Sequence, residues 1–374
     1  MSISSEITRI KNNIANCYDA VENKGGNLPL IKNSSNLADA IDSIPTPSAG
    51  IYWEGLYVTG LMVNPPQNSN FTFKSICYGN GLFVAIDSDY NAGNSRVFTS
   101  PDGINWTERS SNVINNYYWL SVCYGNGLFV AVGAQRGTGG GIIKNTNNIM
   151  TSPDGINWIQ RTGVSGVLCS VGYGNGRFVA YGENDTNSII ISSTNGTSWT
   201  LVKQTEWKMQ TMSNIRNNAI AYGNGKYAVV TYLTNGSQSI NMYSSNNGTA
   251  WTAHYNNNTP RMDIICYGDG KFVGAFGNFI YYSYDAIIWE EASVPVSGLG
   301  ATSICYGNGL FVIVRNSGTY GDRVLISSDG INWTRRTCVE RSWTAVCYGN
   351  DRFVSVGTRI NSSTAEYHQA MYSA

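Results

Sequence analysis

One phrase recurs along the chain. Its clearest copy is Ser75-Ile76-Cys77-Tyr78-Gly79-Asn80-Gly81-Leu82-Phe83-Val84-Ala85, followed after a variable gap by Thr99-Ser100-Pro101-Asp102-Gly103-Ile104-Asn105-Trp106-Thr107. The tyrosine returns at Tyr78, Tyr124, Tyr173, Tyr222, Tyr267, Tyr306 and Tyr348, at steps between 39 residues (Tyr267 to Tyr306) and 49 (Tyr124 to Tyr173). A period of this size restricts the chain to a repeat architecture, in which each unit buries its apolar faces on its neighbours. The tryptophan of the second half returns only at Trp106, Trp158, Trp199, Trp251, Trp289 and Trp333, one copy fewer.

Each unit reads as two hairpins. Ser-Ile-Cys-Tyr and Leu-Phe-Val-Ala are short apolar runs joined by Gly-Asn-Gly, whose residues tolerate the positive φ of a tight hairpin turn. Arg96-Val97-Phe98-Thr99 and Ile104-Asn105-Trp106-Thr107 are joined by Ser-Pro-Asp-Gly, another turn sequence. Four antiparallel strands in about 45 residues match a propeller blade. Burial on both faces accounts for continuous apolar runs such as Phe129-Val130-Ala131-Val132. The seventh copy ends in Gln369-Ala370-Met371-Tyr372-Ser373-Ala374 without a fourth strand, while Pro47-Ser48-Ala49-Gly50-Ile51-Tyr52-Trp53-Glu54 places Trp53 in the tryptophan position. The expected fold is therefore all-β: a seven-bladed β-propeller of four-stranded antiparallel blades over residues 47–374. Residues 47–58 complete the last blade, so that no sheet edge separates first from last.

Only 13% of the 374 residues are charged, and 24 basic residues balance 24 acidic ones. That balance argues against a nucleic-acid groove or an acidic lipid surface. No apolar run spans a bilayer and no secretory leader is evident, so no membrane insertion is expected. Five of the eight cysteines, Cys77, Cys123, Cys266, Cys305 and Cys347, precede the repeat tyrosine, in a slot filled elsewhere by Gly172 and Ala221. They read as one small buried position repeated around a ring, with pairing open only between adjacent innermost strands. Free thiols suit assembly in a reducing cytoplasm. Two histidines and no Cys-x-x-Cys pair give no reason to expect a metal site, and no cofactor is expected.

Residues 1–46 stand outside the repeat. Ile7, Ile10, Ile14, Cys17 and Val21 form an a/d stripe, Gly25-Gly26 ends it, and Asn36-Leu37-Ala38-Asp39 opens a second short helix that Pro45 stops. A helical hairpin this small needs a surface to pack on: its own propeller, copies of itself, or a partner. The segments Ser4-Ser5-Glu6-Ile7-Thr8-Arg9-Ile10, Lys24-Gly25-Gly26-Asn27-Leu28-Pro29 and Asn33-Ser34-Ser35-Asn36-Leu37-Ala38-Asp39 resemble the leader of tail and baseplate-associated proteins from phages of Gram-positive bacteria. The resemblance implies a virion tail protein, with Ile7, Ile10, Ile14 and Val21 on an attachment helix toward other tail proteins or a homo-oligomer. Separately, Ser100-Pro101-Asp102-Gly103-Ile104-Asn105-Trp106 resembles the Asp-box turn of sialidase-like propellers, one residue shorter between Asp and Trp. That turn supports fold and carries no catalysis.

In a four-stranded meander the near-invariant turns share one end of the blade, and the segments that differ between copies collect at the other. Those loops offer Tyr90, Tyr118, Trp119, Arg136, Trp207, Tyr255, Tyr320 and Tyr367, aromatic and amphipathic groups that suit a sugar ring. Trp119 and Trp207, just ahead of inner strands, are equally placed to pack between blades. Arg136-Gly137-Thr138-Gly139-Gly140-Gly141 has no helix after it to make a phosphate cradle and reads as a flexible loop. The expectation is a receptor-binding or fibre-type tail protein, located in the virion, whose loop face meets a host glycan. The alternatives are an architectural tail or capsid-decoration component and a sialidase-like glycosidase. Sparse acids argue against an enzyme.

Overall fold

Seven sheets organise the described residues of the computed structural model, which are 53–57, 72–88, 95–109, 117–137, 142–143, 148–185, 187–205, 208–209, 219–235, 238–294, 298–316, 323–336, 338, 342–358 and 368–373. The chain divides between Ile51 and Tyr52, and the expected helical hairpin, with Ile7, Ile10, Ile14 and Val21, lies outside the described residues. The rest is a seven-bladed all-β propeller. Blade 1 shows the pattern: Phe73–Gly79, Leu82–Ser88, Ser95–Ser100 and Thr107–Arg109 pair in that order, each antiparallel to the next. Blades 2 to 7 begin with the inner strands Tyr117–Gly125, Val167–Gly174, Ile220–Gly223, Ile264–Gly268, Ala301–Gly307 and Ser342–Gly349. In the last sheet, Trp53–Tyr57 pairs antiparallel with His368–Ser373, with Trp53 opposite Ser373 and Gly55 opposite Met371.

Local chemistry sets the first hairpin. Asn80 and Gly81 have φ of 49° and 74°, the mirror-image two-residue turn that matches strand twist. Six of the seven turns keep glycine second; the seventh uses Asp351 at φ 57°. Gly79 is not part of the turn. It ends the inner strand, and a Cβ there would lie under 3.0 Å from Cγ, Cδ1 and Cδ2 of Tyr124 in blade 2. The same seat recurs for Gly125 under Tyr173, Gly174 under Tyr222, Gly223 under Tyr267, Gly268 under Tyr306, Gly307 under Tyr348 and Gly349 under Tyr78. The series ends on the blade where it began, so the tyrosines form a ring.

Each ring tyrosine also rests on the first aromatic of its own second strand, with ring centroids 4.6 to 4.9 Å apart. Phe83, Phe129, Phe178 and Phe311 are wholly buried, which stabilises each blade by about 1.5–3 kcal/mol per side chain. The core lies between blades. Val84, Ile86 and Val97 pack with Trp119, Val122, Phe129 and Met150 of blade 2, while Phe73, Ile76, Phe83 and Trp106 pack with Ala345, Val354 and Val356 of blade 7. Burial on both faces is why these strands show no apolar and polar alternation.

Serines latch successive inner strands. Val122 N–H donates to Ser75 Oγ at 3.2 Å, Val171 N–H to Ser121 Oγ at 3.2 Å, and Val346 N–H to Ser303 Oγ at 3.1 Å. Just ahead of these serines the pairing register slips, between Phe73 and Ser75, Trp119 and Ser121, and Ala301 and Ser303. This repeated bulge leaves one residue unpaired at the loop end of the inner strand and frees it from the ladder.

Candidate functional site

The two ends of the wheel differ in what their polar groups have left to do. At the turn end they bond one another. Asp102 Oδ1 accepts the N–H groups of Ile104 and Asn105, each at 2.8 Å, and Asp102 Oδ2 accepts the Asn105 amide. Ser100 Oγ donates to Asp102 Oδ1 at 2.9 Å and accepts from Gly103 N–H, while Trp106 Nε1 donates to Gly103 O. Burial works against the charge on Asp102, but the Asn105, Ile104 and Ser100 donors hold its pKa down at about 2. Asp154 and Asp329 repeat the arrangement, and Asn195 and Asn247 accept the same pair of backbone donors without a charge. These turns are structural.

At the loop end, ionic side chains gather on strand ends that are otherwise apolar. The position four before each repeat tyrosine is, in sequence, Lys74, Leu120, Cys169, Asn218, Asp263, Thr302 and Thr344. Asp87, wholly buried at the end of blade 1's second strand, accepts Thr72 N–H at 2.6 Å and stands 3.5 Å from Arg96 Nε. Burial lowers the Lys74 pKa and the charge of Asp87 partly restores it. In blade 6 the position of Asp87 belongs to Arg315, whose guanidinium donates to the carbonyls of Leu299 and Gly298, tying down the approach to that blade's inner strand. Between blades 4 and 5, the Arg261 guanidinium carbon lies 3.9 Å from the ring centroids of both Tyr232 and Phe276, and Nε lies 3.5 Å from Asp263 Oδ1.

The structure separates the site residues expected from sequence. Tyr118 and Trp119 are 1% and 0% exposed, so they are core and not ligand contacts; Trp119 belongs to the blade 1–blade 2 cluster, and Ser88 Oγ donates to its carbonyl. Tyr117 stacks on Trp119 instead, with centroids 5.1 Å apart. Tyr255 remains at the surface, 42% exposed at the end of blade 4's outer strand. Arg136 closes the strand Leu128–Arg136 and pairs with Ile142, which corrects the flexible-loop reading at that residue. Tyr90, Trp207, Tyr320 and Tyr367 lie outside the described residues. Sequence reasoning missed Lys74, Asp87, Arg96, Tyr232, Arg261, Asp263 and Phe276. A cue existed for Lys74 and Asp263, charged residues in slots where Leu, Cys or Thr stand in other copies.

One pair imitates a nucleophile and its base. Ser244 Oγ lies 2.8 Å from His254 Nε2, and burial and Lys226 both depress the His254 pKa. The repeat identifies its origin: Thr99 and Thr151, at the serine's position, accept from Arg109 and Arg161 at the histidine's. It is a cross-strand tie between the outer strands, and Ser244 is buried. Among the described residues, no group of three or more His, Cys, Asp or Glu side chains could hold a metal ion, and no helix is long and apolar enough to cross a membrane.

Fold and strand order define the class, a seven-bladed propeller. No family model matches the chain, and no curated protein matches it. Among solved structures, virginiamycin B lyase from Staphylococcus aureus is similar at a TM-score of 0.57 and 10% identity, over 86% of this chain and 97% of that one. A streptogramin B lyase is similar at 0.56 and 10%, over 86% and 97%. The extracellular domain of a putative hybrid two component system from B. thetaiotaomicron is similar at 0.57 and 10%, over 86% of this chain and 42% of that one. At this identity the likeness is one of fold. These neighbours overturn the expectation of a receptor-binding tail protein, because they are lyases and the extracellular domain of a two component system and none of the three is a tail component. The expectation that the chain is not an enzyme is corrected too, since the same fold serves two lyases.

Proposed function

We propose that the chain is a ligand-binding propeller that takes a small ionic or strongly polar molecule at its loop end. The observation that carries this is the placement of charge. In a chain with 13% charged residues, the described inner strands carry Lys74 alone, with Asp263 immediately ahead of another, both at the loop-end position four before the repeat tyrosine. Deeper rungs hold cysteine and tyrosine. Charge at the rim of a rigid apolar frame favours recognition, because such groups need no reorganisation to meet a ligand. The reading also takes residues 53–57 as the clasp that joins the last blade to the start of the propeller, which supplies the rigidity; their antiparallel pairing with residues 368–373 supports it.

A second reading is favoured by Lys74 itself. Burial lowers its pKa, which raises the neutral amine fraction and makes it a candidate general base. One experiment serves both readings: a thermal-shift screen of small charged and polar compounds on the full chain, on Lys74→Met and on Asp263→Asn. A binder at a hundred times its Kd stabilises by about 2.7 kcal/mol. Compounds that raise the melting point of the parent and not of one of the variants support a loop-end site, and their consumption, followed by mass spectrometry, distinguishes an enzyme from a binder. A screen in which every stabilising compound acts equally on the parent, on Lys74→Met and on Asp263→Asn contradicts both readings.

A further inference from the structure

We infer that Arg261 is a preformed receptor for a carboxylate group of the ligand, an inference that rests on the loop-end binding reading and names its chemistry. The guanidinium is held between two aromatic faces, Tyr232 and Phe276, its carbon 3.9 Å from each centroid. A cation so placed is attracted by both ring quadrupoles and has its faces shielded from water. What is left is its planar edge. Nε faces Asp263 at 3.5 Å, and no described residue accepts a hydrogen bond from the terminal nitrogens. Two parallel N–H donors in one plane match the two oxygens of a carboxylate, the bidentate geometry in which Arg outperforms Lys.

The surroundings are specialised for this placement. Second and third strands pair in unbroken register in blades 1, 3, 5, 6 and 7, blade 2's second strand passes from Ile149–Ser152 to the separate strand Ile142–Ile143, and blade 4 has a register slip between Val230 and Leu233. Tyr232 falls inside that slip. A bulge of this kind re-aims a side chain. The connection that carries Arg261 is pinned on both sides: Asn258 and Thr259 N–H donate to Tyr255 O, Asn241 Nδ2 donates to Thr259 O at 2.7 Å, and Met262 is 1% exposed in the core between blades 4 and 5. Phe276 ends blade 5's second strand. Three residues from three segments thus meet in a slot whose polar edge no described residue uses up. Asp263 offsets the charge of Arg261 and so disfavours indiscriminate capture of small anions.

The test is arginine side-chain nitrogen NMR on the full chain, titrated with malonate, with inorganic phosphate, and with chloride at matched ionic strength. The Arg261 resonance is recognised by the upfield shift that two flanking rings impose, and by its return toward the common arginine position in Tyr232→Leu. The expected result is a saturable shift of that resonance with malonate and none with chloride, and binding weakened about ten- to a hundredfold in Arg261→Lys. No movement of the Arg261 resonance, a uniform drift of all arginines, or saturation by phosphate alone each overturns the inference. Malonate binding that survives undiminished in a folded Arg261→Lys overturns it as well while leaving a loop-end site elsewhere on the rim, whereas a protein that binds no compound in the thermal-shift screen removes the underlying reading.

Discussion

Replacing Gly125 by alanine tests the tyrosine ring directly. The new Cβ would lie under 3.0 Å from three ring carbons of Tyr173. That ring cannot withdraw, because its other neighbour is Phe178, 4.7 Å away and wholly buried. Overpacking of this kind costs about 1–3 kcal/mol, and the three simultaneous clashes place Gly125→Ala near the top of that range. Gly127→Ala is the control: its φ is 74° and nothing lies within 4 Å, so it pays only the left-handed backbone penalty of about 1–2 kcal/mol. At about 2 °C per kcal/mol for a domain of this size, the two should separate by a few degrees in melting temperature. Urea midpoints at constant m would give the same order. In a Tyr173→Ala background the clash has no partner, and Gly125→Ala should become neutral or slightly stabilising, because alanine restricts the unfolded chain. A Gly125→Ala cost no larger than that of Gly127→Ala, or one that persists without the tyrosine ring, would refute the assignment of Gly125 as a seat for its neighbour.

Acid should act through the turns of Asp102, Asp154 and Asp329. The Asp102 pKa is depressed from 3.8 to about 2, so its contribution to stability is complete above 3.8 and disappears as the pH falls through about 2. Asp102→Asn should flatten that part of the stability profile with little loss at neutral pH, since Asn195 and Asn247 already serve the same backbone donors; an unchanged acid limb of the unfolding curve would exclude the turn as its source. Deleting residues 53–57 should expose the His368–Ser373 strand as an unpaired edge and lower the melting temperature of the whole propeller in a single transition; unaltered melting would show that the pairing is dispensable.

The sequence by itself determined the wheel. Seven tyrosines at a nearly constant step, each followed by a turn needing two positive φ residues, allow few arrangements other than seven four-stranded units, because strand length and hairpin chemistry are local properties. The separation of a conserved turn end from a varied loop end follows from the same counting. Side-chain destinations were not local. Tyr118 and Trp119 begin an inner strand, and an aromatic there reads identically whether it faces solvent or the adjoining blade; only the packing of blade 2 put both in the interior. Gly79 reads as the start of a turn, yet it is glycine because a ring from 45 residues further on (Tyr124) occupies the space of its Cβ. Tyr232, Arg261 and Phe276 carry no shared motif, since their meeting depends on a one-residue register slip and on the angle between two sheets. Periodicity fixes which strands exist. The approach of one blade to the next decides what its side chains touch, and with it the candidate site.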